Sequence, residues 1–269
     1  MKNIRYYACP SSVKAALALL SNRKYKAMAL AGGTLVAKTL PDTVETYLDL
    51  KALPIKGIKS QGGGLVIGAG ATFDEIDNSK VCRAWAGGIV SRAAAACSSQ
   101  LVRNMATIGG NIARPHSFNI FPVVLLGLDA KARVVSGKGS ELLSLPELYA
   151  ASPRLRPGAN CLITEVLFPA AASKWRCEFV KLAKTDSSWE SYITLFLAAE
   201  KKGGKVAKAR VAVGALSPKP FRAAEAEKAI LGAAGSGPAA FSAELEAARA
   251  GEYRAAAGAA LLGRFIASL

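Results

Sequence analysis

Two periods of hydrophobic residues run through this chain, and the places where one gives way to the other mark its elements. Residues 4–7 and 27–31 read as strands. Between them Ser11-Ser12 precedes Val13, Ala16, Leu17 and Leu20, which share one helical face behind a serine cap. A third strand is predicted at residues 46–50, and the turn formers of residues 54–64 break the pattern. Leu65-Val66-Ile67-Gly68-Ala69-Gly70 then reads as a strand ending in glycines. Thr72, with Glu75 three residues on, is a capping box. Ile89, Ala93 and Ala96 share a face and predict a helix over residues 88–96. Residues 121–128 are apolar, and a β-rich stretch follows at residues 131–135, 141–148 and 161–168, closing at Pro169.

From Ser173 the character changes. Strands are predicted at residues 178–182 and 207–215, with a turn at 201–205, while residues 189–199 fit a strand or an apolar helix equally. Ser217-Pro218-Lys219-Pro220 introduces alanine-rich helices at 223–231, 241–250 and 255–269. The expected class is α+β in three parts: residues 1–56, 57–172 and 173–269.

Composition narrows the picture. With 51% hydrophobic and 20% charged residues among 269, the chain is globular rather than disordered. No apolar run reaches the roughly 18 residues of a membrane span, and no signal-peptide layout is present, so a cytoplasmic location is expected. The formal charge of +16 implies attraction to anions: a dinucleotide, an acidic protein or nucleic acid. The basic residues are scattered, with no basic helix carrying interleaved aromatics, which makes nucleic acid the weakest of the three. Five cysteines stand far apart with no C-x-x-C, so neither zinc nor a local iron–sulfur cluster is signalled, and free thiols are expected.

Candidate chemistry lies in two glycine segments. Ala31-Gly32-Gly33-Thr34 follows the second strand, and Thr107-Ile108-Gly109-Gly110-Asn111 ends the stretch 100–111. Glycine pairs let backbone approach a ligand, and successive N–H groups in such turns cup an anion. Thr34, Thr107 and Asn111 add side-chain donors. Each segment alone is equally a plain turn; together they could grip a diphosphate. Other signatures fail: Ser136-Gly137-Lys138-Gly139 lacks P-loop spacing, Gly68-Ala69-Gly70 lacks the third glycine of a dinucleotide fingerprint, and no G-x-S-x-G occurs. The single histidine, His116, rules out a histidine-rich metal site.

In this order the two segments resemble the FAD-binding medium subunit of the molybdenum hydroxylases, the carbon monoxide dehydrogenase and xanthine dehydrogenase family. Residues 65–70, 154–169 and 211–232 resemble further family segments, so the likeness spans nearly the whole chain. The resemblance implies a p-cresol methylhydroxylase-type fold, with two α+β subdomains holding FAD and a C-terminal α+β domain of three strands and helices covering it. It also implies electron transfer from iron–sulfur centres on a partner chain, fed by a molybdenum cofactor on a third, to an acceptor such as NAD, a quinone or a ferredoxin. FAD is the only cofactor expected here, and substrate chemistry is expected on another chain.

Carried over by motif, the FAD-binding residues are Ala31, Gly32, Gly33, Thr34, Leu35 and Val36, then Thr107, Ile108, Gly109, Gly110 and Asn111, with Lys181 from a reduced C-terminal motif. Leu35 replaces a residue that is commonly polar. After Ala113 the family's serine and aspartate positions are His116 and Ile120, and Arg114 adds a cation. Arg114 and His116 are therefore expected to hold flavin in this chain's own way. The alternative is a relative that has lost flavin and serves only as a structural subunit.

Overall fold

The computed structural model describes residues 4–35, 43–150 and 160–269. A small parallel sheet comes first, built from β1 (Tyr6–Ala8), β2 (Ala27–Leu30) and β3 (Thr46–Asp49) in the order β1-β3-β2. Helix α1 (Val13–Ser21) makes the crossover; Ser12 Oγ caps it by accepting from Ala15 N at 3.2 Å, and Ala16 and Leu20 are its buried face. β2 and β3 are parallel neighbours, so their carboxyl ends emerge at the same edge. β2 leads there into Gly32-Gly33-Thr34, and β3 into Lys51.

The second sheet is antiparallel. β4 (Ile58–Gln61), β5 (Gly64–Gly68), β6 (Lys131–Ser136), β7 (Gly139–Ser144) and β8 (Cys161–Phe168) are arranged β4-β5-β8-β6-β7. Six short helices fill the excursion from β5 to β6: α2 (Phe73–Asn78), α3 (Lys80–Ala84), α4 (Ile89–Ala95), α5 (Gln100–Arg103), α6 (Ile108–Ile112) and α7 (Phe121–Gly127). The Thr72–Glu75 capping box is present in both directions, at 2.7 and 3.1 Å. The β-rich pattern read across residues 141–148 breaks at Ser144, where α8 (Leu145–Ala150) begins. Ser144 N and Oγ both donate to Glu147 Oε2, at 2.7 and 2.6 Å. With Pro146 in the first turn, these local signals start a helix where strand-like composition continues.

The last sheet has four strands rather than the expected three: β9 (Arg176–Ala183), β10 (Ser191–Lys202), β11 (Lys205–Gly214) and β12 (Phe221–Arg222), in the order β12-β11-β10-β9. β12 is two residues long, too short to leave a periodic signal. Helices α9 (Ala224–Gly232), α10 (Gly237–Ala247) and α11 (Glu252–Ala267) follow. Residues 189–199, open between strand and helix in sequence, are largely strand because β10 is buried on both faces. Ile193, Leu195, Leu197 and Ala199 face a core shared with α9 to α11. Phe196 and Ala198 face the larger core, which also joins the first two sheets. Burial on both sides removes the polar positions that would otherwise reveal a period of two.

Charge ties this sheet to α7. Asp129 accepts from Arg210 at 3.0 and 3.2 Å, with Lys208 and Arg222 at 3.5 and 3.6 Å. Glu227, 6% exposed, accepts from Val211 N and Arg222 Nε, both at 2.9 Å. Glu227→Ala leaves the Val211 amide without its acceptor and, among the described residues, Arg222 with Asp129 alone. The expected loss is about 2 kcal/mol, as for hydrogen bonds to a charged group, read from urea denaturation. Among the described residues no helix is long and apolar enough to cross a membrane.

Candidate functional site

A cleft of about 400 Å³ opens where the carboxyl edge of the first sheet meets the helical excursion of the second and the β9–β10 connection. Ala31, Gly32, Gly33, Thr34 and Leu35 form one wall. Gly33 has φ +69°, a conformation that a side chain strains. Gly32 lies so close to the stretch before α6 that a Cβ there would stand 1.8 Å from the Met105 carbonyl oxygen. Among the described residues, the N–H groups of Gly32, Gly33 and Thr34 have no protein acceptor. Val36 and residues 154–159 of the family-like segment lie outside the described residues.

The second glycine segment is built differently from its expected form. Gly109 and Gly110 sit inside α6 rather than in an open turn, and neither has a positive φ. The backbone N–H groups of this segment are already engaged. Ile108 donates to Ala71 O at 3.0 Å, Gly109 to Ala69 O at 2.9 Å, Gly110 to Thr107 Oγ1 at 3.1 Å and Asn111 to Thr107 O at 3.0 Å. This corrects the picture of two equivalent anion cups: α6 is a wall pinned to the end of β5, and the free donors are on the first segment. A Cβ on Gly109 would meet Ala69 at 2.6 Å, so glycine here allows helix and strand end to touch. Thr107, Gly109, Gly110 and Asn111 line the cleft, whereas Ile108 is fully buried behind it.

The Asn111 side chain faces its own chain as much as the cleft. Its Oδ1 accepts from Phe121 N at 3.0 Å and its Nδ2 donates to Asn119 Oδ1 at 3.2 Å. Asn119 Nδ2 in turn donates to the carbonyls of Asn111 at 2.6 Å and Arg114 at 3.0 Å. This reciprocal clamp fixes residues 112–120 into a closed loop and starts α7. Asn111→Ala leaves Phe121 N and Asn119 Oδ1 without these partners, and a stability loss of about 1.5–3 kcal/mol is expected in chemical denaturation. Ile120, at the family's aspartate position, is 4% exposed and belongs to the core.

The clamped loop places Arg114 on the cleft. His116 does not line it; its ring stacks on Trp189 from the β9–β10 connection, with centroids 5.1 Å apart and planes 19° apart. Phe118 meets Trp189 edge-on at 5.6 Å, and both of these rings line the cleft. His116 Nδ1 accepts from Phe118 N at 3.3 Å, which leaves the neutral ring's proton on Nε2. Burial, with help from Arg114, lowers the His116 pKa below 6.5. A folded pKa below the unfolded one means that the unfolded chain binds more protons near pH 6. Stability contributed by this group therefore falls as pH drops below about 6.5. A nuclear magnetic resonance titration of the single histidine is expected to show a midpoint below 6.5.

Lys181 also stands outside the cleft. Its ammonium donates to the carbonyls of Ala96, Asp186 and Ser188 at 3.2, 3.3 and 2.5 Å, and burial lowers its pKa. It braces the β9–β10 connection against the loop carrying Cys97 and Ser98, which do line the cleft.

Several lining residues were not singled out from sequence: Lys51, Lys56, Ala69, Gly70, Phe118 and Trp189. The glycine-ended fifth strand was a signal for two of them. The others lie in connections, where no periodicity marks a facing direction. Lys51, Lys56 and Arg114 are the charged residues of the lining, and among the described residues it contains no carboxylate. Free backbone donors, three cations, close-packed glycines and an aromatic wall fit a ligand that joins phosphates to a flat ring.

Comparison with known proteins agrees. Residues 2–171 match the family described as FAD binding domain in molybdopterin dehydrogenase. The carbon monoxide dehydrogenase medium chain of Hydrogenophaga pseudoflava is 25% identical over 232 residues, covering 85% of this chain and 80% of that one. The glyceraldehyde dehydrogenase medium chain of Sulfolobus acidocaldarius is 26% identical over 207 residues, covering 76% and 73%. The structure of CO dehydrogenase from Oligotropha carboxidovorans superposes with a TM-score of 0.83 at 25% identity, covering 97% of this chain and 95% of that one.

Proposed function

This chain belongs to the family of FAD binding domains in molybdopterin dehydrogenases, with FAD as the cofactor, and from that premise we propose that its cleft holds FAD for electron transfer inside a multi-subunit oxidoreductase. The observation that carries this is the lining itself: among the described residues it has three cations and no carboxylate, beside N–H groups of Gly32, Gly33 and Thr34 that have no protein acceptor there. When bound, FAD supplies the redox chemistry.

The chain's own residues bind and orient it. Gly32 to Thr34 offer backbone donors to phosphate oxygens, and Arg114 offers a guanidinium fork. Thr107, Gly109, Gly110 and Asn111 form the opposing wall, and Ala31 and Leu35 complete the near one. Ile108 and Lys181 act from behind, as packing and as a brace. Phe118 and Trp189, backed by His116, exclude water from one face. No side chain here need move a proton on the substrate of the complex.

The proposed partners are an iron–sulfur chain and a molybdenum chain, with electrons leaving to NAD, a quinone or a ferredoxin. The relatives bear the name medium chain, which supports such an assembly. The division at residues 1–56, 57–172 and 173–269 is proposed as its domain plan, each part holding one of the three sheets.

Arg114→Ala tests the binding role. The expected loss of FAD affinity is about 1.5–3 kcal/mol, as for a charge-assisted contact, measured by titrating apoprotein with FAD. An unchanged affinity would make the loop of residues 112–120 purely structural. Pull-down of the native chain should bring an iron–sulfur chain with it; a lone 27.9 kDa species would count against the assembly.

A further inference from the structure

Among the cleft's cations, Lys51 has a support built from two neighbouring side chains. It leaves β3, the middle strand of the parallel sheet, at the edge where β2 delivers Gly32-Gly33-Thr34. Carboxyl ends of parallel strands are where open sheets take ligands. The Lys51 ammonium lies 3.4 Å from Asp49 Oδ2, and its backbone N–H donates to Asp49 Oδ1 at 2.9 Å. The Tyr7 hydroxyl donates to the same carboxylate, and the Tyr7 ring lies 5.5 Å from the ammonium. Asp49 is 8% exposed. Burial works to raise its carboxyl, but the bonds from Tyr7 and Lys51 hold it below its ordinary value, so it stays charged.

An ion pair at a surface adds little to stability. A nearly buried carboxylate that steadies one lysine at the rim of a cleft makes more sense as a positioning device. An ammonium has three donors, and the contact with Asp49 leaves others for a ligand. Lys56, on the same connection, also lines the cleft. The aromatic wall belongs to other elements: Phe118 lies between α6 and α7, and Trp189 between β9 and β10.

We infer that Lys51, positioned by Asp49 and Tyr7, binds the adenosine monophosphate half of FAD and makes the cleft select the dinucleotide over a mononucleotide flavin. The inference rests on the cleft being an FAD site. FMN shares the ring and ribityl phosphate with FAD but lacks the adenosine monophosphate. Residues that serve the shared part act on both molecules, and a residue that serves the adenosine side acts on FAD alone.

The test titrates apoprotein with FAD and with FMN, using ADP as competitor. Lys51→Met lowers FAD affinity about ten- to a hundredfold, as for loss of a charge-assisted bond. It abolishes competition by ADP and leaves FMN affinity unchanged. Lys51→Arg retains most of the FAD affinity, and Tyr7→Phe loses a smaller factor. The Lys51 side chain is 66% exposed, so a melting curve matching wild type is expected. If FAD and FMN weaken together, or neither weakens in Lys51→Met, the assignment is overturned. A wild-type protein that takes neither flavin would instead overturn the reading of the cleft.

Discussion

Gly33→Asp is expected to leave the protein folded and empty it of flavin. Gly33 has φ +69°, and among the described residues a Cβ there would meet a Leu30 methyl at 3.4 Å and nothing nearer. Asp visits this backbone region more readily than most residues, at a cost of roughly 1–2 kcal/mol. Its carboxylate would enter a cleft lined by Lys51, Lys56 and Arg114. Two like charges about 5 Å apart at an effective dielectric of about 20 repel by about 3 kcal/mol. Against a diphosphate, that amounts to a loss of at least a hundredfold in affinity. The measurement is the ratio of flavin absorbance to protein absorbance after purification, beside circular dichroism for the fold. Folded Gly33→Asp with wild-type flavin content would remove the first glycine segment from the site. Gly32→Ala is a poorer probe, because the added methyl would collide with the Met105 backbone and disturb the fold itself.

Phe196→Ala is expected to cost about 3–5 kcal/mol, the largest stability loss named here. Phe196 is fully buried and reaches from the last sheet into the core of the first two, while its neighbours Leu195 and Leu197 point the other way. Little space is available for relaxation: a Cβ on Gly127, in α7, would lie 2.1 Å from the Phe196 ring. The cavity left by alanine therefore persists. Urea denaturation should show the loss, and Trp189, on the β9–β10 connection, should become more accessible to a fluorescence quencher as the sheet loosens. Leu195→Ala, which faces the other core, is the comparison: a similar loss in stability with the Trp189 signal unchanged.

The α+β plan was legible because most elements carry their own local signal. Ser12 and Thr72 mark helix starts, and the strand ending in Gly68 and Gly70 is apolar throughout. β10 was ambiguous because two cores bury both its faces, and α8 was missed because the Ser144–Glu147 cap lies inside a strand-like run. At the site, the glycines were visible but their geometry was not. Whether Gly109 and Gly110 form a cup or a helix depends on Ala69 and Ala71, about 40 residues earlier, accepting the N–H groups of Gly109 and Ile108. Ile120 stands where the resembled family has aspartate, yet Asn119 beside it supplies the carboxamide that closes the loop with Asn111. Trp189 and Lys51 reach the cleft from connections, where only the tertiary fold decides which way a side chain faces.

The most direct test of the account is the visible spectrum of the native protein, followed by titration of the stripped apoprotein with FAD. The account predicts a yellow protein that releases about one FAD per chain on denaturation and takes it up again as apoprotein, with quenching of flavin fluorescence. A colourless protein whose folded apo form shows no change on adding FAD would contradict it, and would leave the chain as a structural subunit of its complex.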